Sequence, residues 1–104
     1  MQIYAYPGDR IDFVSRSGSA GSLMFGDSRS LVEDFFGPAH THTPADNETK
    51  EVISYFNSSV ELGFENKELA SVTITPDRSR EKISIFVNRE IVDLASGESI
   101  TWQA

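Results

Sequence analysis

Cysteine is absent from this 104-residue chain. That excludes a disulfide framework, thiolate zinc ligands, a cysteine nucleophile and the acylated cysteine of a bacterial lipoprotein. Long apolar runs are also lacking. None approaches the roughly 20 residues needed to cross a bilayer, and the N-terminus has no basic-then-apolar signal, so a cytoplasmic protein without membrane contact is expected. Positive charge is scarce: nine Lys and Arg stand against sixteen Asp and Glu, for a net charge of −7 and a pI near 4.6. Phosphate contact needs clustered Lys and Arg, so nucleic acid is not an expected partner. No Gly-x-Ser-x-Gly elbow places a nucleophile and no glycine loop cradles a phosphate, which leaves a non-enzymatic protein without a cofactor as the expectation.

What is present describes a folded chain. Apolar residues make up 38%, with seven Phe, three Tyr and one Trp, and the length suits one domain over residues 1–104. The pivotal stretch is Phe25 to Pro38. Asp27 or Ser28 is placed to cap a helix, and Leu31, Val32, Phe35 and Phe36 form one apolar stripe. Gly37 and Pro38 then stop the helix. Such a short helix is marginal alone and must lie on a sheet.

Most of the rest reads as strand. Gln2–Tyr6 and Arg10–Val14 flank Pro7-Gly8-Asp9, a turn signal that predicts an N-terminal hairpin. Ser15 to Ser22 is a Ser/Gly connector, so residues 1–22 form the hairpin and flexible connector and residues 23–104 the helix and a β-meander. Ala39 to Lys50 is expected to be a polar surface loop. From Glu51 the period becomes two, with strand-like runs at Val52–Phe56, Val60–Glu65, Leu69–Thr75 and Lys82–Val87. An Asn57-Ser58 turn pairs Tyr55 with Val60 and Ile53 with Leu62. A three-residue Asn66–Glu68 turn matches Leu62 with Val72 and Val60 with Ile74. Ile83, Ile85 and Val87 complete the same apolar face. A second face then carries Val52, Phe56, Phe86 and Glu61: either the hairpin with its Tyr4 and Tyr6 covers it, or it is a binding surface of aromatics rimmed by acids. Ser96-Gly97 marks a turn before a short Ile100–Trp102 strand. The fold class is α+β: a single short helix on one face of an antiparallel β-meander, with an N-terminal β-hairpin.

Two constellations invite a chemical reading. His40 and His42 project to one side of an extended segment, where Asp46 and Glu48 would complete a metal shell. The loop is polar and Thr-rich and offers no rigid support, so no metal is assigned and the two histidines stand as weak candidates. Glu65-Asn66-Lys67 has the E-x-K spacing of metal-dependent nucleases, but it falls on a hairpin turn of an acidic protein.

Phe25-Gly26-Asp27-Ser28, then Val32, then Phe36-Gly37-Pro38, followed by a polar loop and a meander with Tyr55 and Leu62-Gly63-Phe64, resembles a recurring bacterial pattern of F-G-x-S, short helix and G-x-P. It is similar to small α+β modules of the toxin-immunity type, the beta-lactamase-inhibitor-protein type and the outer-membrane-assembly-lipoprotein type. The resemblance implies action by binding another protein. The resulting reading is an immunity protein, monomer or weak homodimer, that occludes the active site of a basic toxin domain. Asp46, Glu48, Glu51, Glu61 and Glu65 would supply charge, and Tyr55 or Phe56 the aromatic anchor. The alternatives are a metal-binding protein or enzyme centred on His40 and His42, and a structural or assembly module.

Overall fold

The computed structural model describes residues 1–39, 41–44 and 50–104. They form an α+β fold with one α-helix and two five-stranded sheets. The first sheet is ordered β3-β2-β1-β8-β9, from Ala20–Leu23 (β3), Arg10–Val14 (β2), Gln2–Tyr6 (β1), Ser84–Val87 (β8) and Glu90–Val92 (β9). The second is β10-β7-β6-β5-β4, from Ile100–Gln103 (β10), Glu68–Ile74 (β7), Val60–Glu65 (β6), Lys50–Tyr55 (β5) and Thr41–Pro44 (β4). The helix α1, Arg29–Phe36, sits at the rim of both sheets, its Phe36 ring against Tyr55 of the meander strand β5 and Phe13 of β2.

Turn chemistry sets the hairpins. In β1–β2 the Asp9 N–H donates to the Tyr6 carbonyl at 2.9 Å, with Gly8 at φ 87° as a Pro-Gly turn requires. Asn66-Lys67 and Asn88-Arg89 both lie in left-handed backbone, the geometry of two-residue hairpin turns that follow strand twist. The β5–β6 register is as expected, Tyr55 opposite Val60 and Ile53 opposite Leu62. In β6–β7 the pairs Val60–Ile74 and Leu62–Val72 also occur, but the turn is the two-residue Asn66-Lys67. A register shift between Gly63 and Phe64 leaves Ala70 as an extra residue, and the Ala70 carbonyl accepts from Ala104 N–H at 2.8 Å.

Three expectations are corrected. The Ser/Gly connector is shorter than its composition implied, because Ala20–Leu23 pairs with β2 and buries Leu23. The polar segment after the helix contains β4, which pairs with β5 and protects its backbone edge. The run at 82–87 does not extend the meander. As β8 it crosses to the other sheet and lies parallel to β1, Ile3 opposite Ile85 and Tyr4 opposite Phe86. The short 3-10 turn Pro76–Arg78 begins that crossing.

One core joins both sheets. Ile3, Ala5, Ile11, Phe13, Leu23 and Ile85 meet Ile53, Tyr55, Val60, Leu62, Phe64, Val72, Ile74 and Trp102 in a single buried cluster. The N-terminal hairpin therefore covers the inner face of the meander, and the outer face is left without that cover.

Ser28 caps α1, its hydroxyl accepting from Leu31 N–H at 3.2 Å, while Gly37 closes it at φ 85°. Asp27 instead ties the entry down: its carboxylate accepts from Met24 N–H, and its carbonyl accepts from Leu69 N–H, each at 2.8 Å. The helical stripe is narrower than its composition suggests. Val32 is fully buried, and Phe36 packs against Phe13 and Tyr55 with ring centroids 5.1 and 4.8 Å apart. Leu31 and Phe35 are 51% and 36% exposed. A helix bridging two sheets at their rim buries only the line one turn long, Val32 to Phe36. The Phe35 ring lies over Gly21, where any side chain would collide with it.

Candidate interaction surface

The residues expected to meet a partner do not form one patch. His40, Asp46 and Glu48 lie outside the described residues, and His42 contributes backbone to β4 opposite Ile53. Tyr55 is fully buried, and its hydroxyl donates to the Gly37 carbonyl at 2.9 Å, so it braces the helix end instead of facing a partner. Burial pushes the Tyr55 pKa up, and the nearby Glu33 charge adds to the rise. Phe56 is not beside Glu61 and Glu65 on a strand face. The strand ends at Tyr55, and Phe56 turns into left-handed backbone at φ 53° with its ring 5.9 Å from Phe36.

The acidic side chains are partly answered within the chain. Glu51 pairs with Arg29 at 2.9 Å, and Arg29 also holds Glu33 at 3.0 Å. Glu61 pairs with Arg78 at 3.0 Å. Glu65 is the most open, 3.8 Å from Lys50, on the rim of a shallow groove of about 410 Å³ whose lining includes Val52, Gly63 and Ser71. At Gly63 a side chain would strike the Ser71 hydroxyl, which keeps this groove open.

The outer face of the other sheet carries a more continuous surface. Strand pairing places Ser22, Asp12, Tyr4, Phe86 and Ile91 in one row across all five strands. The Tyr4 and Phe86 rings stack at 4.8 Å with an interplanar angle of 12°, and Ile91 beside them is 61% exposed. The other end of the row is polar. Asp12 accepts from Ser22 at 2.6 Å and from Arg10, whose guanidinium also lies 4.5 Å from the Tyr6 ring centre. The row thus runs from an apolar aromatic centre into a hydrogen-bonded polar margin. Alternation alone puts Tyr4 and Tyr6 on one face of β1. Nothing local brings in Phe86, because its partner strand lies some eighty positions earlier in the chain.

Among the described residues no helix is long and apolar enough to cross a membrane. No three His, Asp or Glu side chains gather as a metal-ligand set among those residues. No protein family, curated protein or solved structure matches this chain.

Proposed function

We propose that this chain is a protein-binding module that meets a basic partner through the outer face of β1, β8 and β9. Its specific form, carried by the resemblance to immunity-type modules, is an immunity protein that neutralises a toxin by covering its active site. The observation that supports binding is the stacked Tyr4–Phe86 pair running into Ile91 at 61% exposure. Burial of these side chains against a partner supplies the hydrophobic anchor, and aromatic residues dominate such anchors. The net charge of −7 steers a basic protein toward the surface without fixing where it settles.

The test is capture of the partner from the native host at low and high salt, followed by surface-plasmon kinetics with variants. Ile91→Ser and Phe86→Ser are expected to raise the dissociation rate at least about tenfold, as loss of a buried anchor does. Glu65→Lys, on the opposite sheet, is expected to leave dissociation unchanged and to slow association modestly. Unchanged kinetics for both sheet-face variants, with folding intact, would remove this surface. Concentration-dependent dimerisation abolished by Ile91→Ser would instead make the occupant a second copy.

A further inference from the structure

At the end of the sandwich where the chain crosses between sheets, three segments enclose a cleft of about 710 Å³. The β2–β3 loop contributes Arg16, the β5–β6 loop contributes Phe56, Asn57 and Ser58, and the crossing segment contributes Ser79, Arg80 and Glu81. We infer that this cleft binds a small organic carboxylate carrying a flat apolar group. Arg16 and Arg80 would hold the carboxylate, and Phe56 would pack against the ring.

Charge is the first support. In a chain of net charge −7, Arg10, Arg29 and Arg78 each pair with carboxylates at 3.1 Å or closer. Arg16 and Arg80 form no ion pair among the described residues, yet both line the same cleft. Guanidinium groups are matched to carboxylates by their forked donors. Among the described residues Glu81 is the only acidic side chain in the lining, and together with Arg16 and Arg80 it leaves those residues with one net positive charge, which suits a monoanion.

Rigidity is the second. Phe56, Asn57 and Ser58 lie at φ 53°, 59° and 61°, three successive non-glycine residues in left-handed backbone. Such a run is costly and persists only where its surroundings hold it. Here Asn57 donates to the Arg78 carbonyl at 2.8 Å, and Arg78 donates back to the Ser58 carbonyl at 3.3 Å. The Ser59 hydroxyl donates to the Phe56 carbonyl at 2.7 Å, and Thr75 N–H donates to the Ser59 carbonyl at 2.8 Å. These bonds tie the β5–β6 loop to the start of the crossing segment, so the wall formed by Phe56, Asn57 and Ser58 is set before a ligand arrives. The volume falls in the range of small-molecule sites.

The experiment is calorimetric titration with phenylacetate, acetate and benzyl alcohol, combined with amide chemical-shift mapping. Phenylacetate is expected to bind with a Kd below about 1 mM. Its shifts should centre on Arg16, Phe56–Ser58 and Ser79–Glu81. Acetate lacks the ring and benzyl alcohol lacks the charge, so each should bind at least about tenfold more weakly. Arg16→Gln and Arg80→Gln should each weaken phenylacetate by about tenfold or more, with the thermal midpoint unmoved because both side chains are exposed. Arg80→Lys, which keeps the charge but not the fork, should fall between. Absence of saturable binding, shifts centred elsewhere, or equal affinity in the Arg16→Gln/Arg80→Gln double variant would overturn the inference.

Discussion

Replacing Phe36 by alanine and comparing it with Phe35→Ala tests how the helix is seated. Both residues belong to the apolar stripe that the sequence places against the sheet, and from sequence removal of Phe35 carries an expected cost of roughly 3–5 kcal/mol. The packing separates the two. Phe36 meets Phe13, Tyr55, Phe35 and Phe56 with ring centroids 5.1, 4.8, 4.6 and 5.9 Å away, so its loss opens a hole between the two sheets. Phe36 is partly rather than fully buried, which puts Phe36→Ala at the lower end of the range, about 3 kcal/mol. Phe35 is 36% exposed and packs over Gly21, so its removal costs about 1 kcal/mol of contact area. Chemical denaturation followed by circular dichroism gives both values. The corresponding fall in thermal midpoint is roughly 12–15 °C for Phe36→Ala and roughly 4–5 °C for Phe35→Ala. Equal costs, or a larger cost for Phe35→Ala, would refute the seating of α1 along the Val32–Phe36 line.

Tyr55 gives a pH test. Its folded pKa is raised by burial and by Glu33, so its stabilising contribution is complete below the ordinary tyrosine value of about 10 and is lost as pH rises through the folded value. Stability measured across alkaline pH should therefore fall more steeply in the native chain than in Tyr55→Phe. At neutral pH that variant should cost roughly 0.5–1.5 kcal/mol through the lost bond to the Gly37 carbonyl. Ser28→Ala removes the bond accepted from Leu31 N–H and should lower stability by about 1 kcal/mol in urea titration. Lys67→Gly converts a left-handed lysine at φ 67° into the glycine of an Asn-Gly turn, and should raise stability by about 0.5–1 kcal/mol, read as a higher denaturation midpoint.

Local chemistry was legible wherever near neighbours decided it. Pro7-Gly8 announced the first hairpin, Ser28 and Gly37 bracketed the helix, and the period-two pattern from Glu51 placed Tyr55 against Val60 and Leu62 against Val72. Even there, the β6–β7 register is reached through a two-residue turn and a bulge at Ala70 rather than through a longer turn, since alternation records the pairing but not the path. The candidate surfaces were hardly legible. Phe56 had the alternation of an outward strand residue until the backbone turned left-handed at that position. Arg16 and Arg80 look like ordinary solvated charges until two loops and a crossing segment bring them to one cleft.

The sequence by itself determined the class of fold, the single helix, the first hairpin and the meander pairings, because turn preference, capping and periodicity act over a few residues. Only the tertiary structure decided that β8 leaves the meander to lie parallel to β1, and that Phe36 rather than Phe35 enters the core. It alone put Tyr4, Phe86 and Ile91 in one row. Those outcomes depend on which apolar faces bury the most area when two sheets and a helix close together. That is a property of the whole assembly, and no short stretch of sequence carries it.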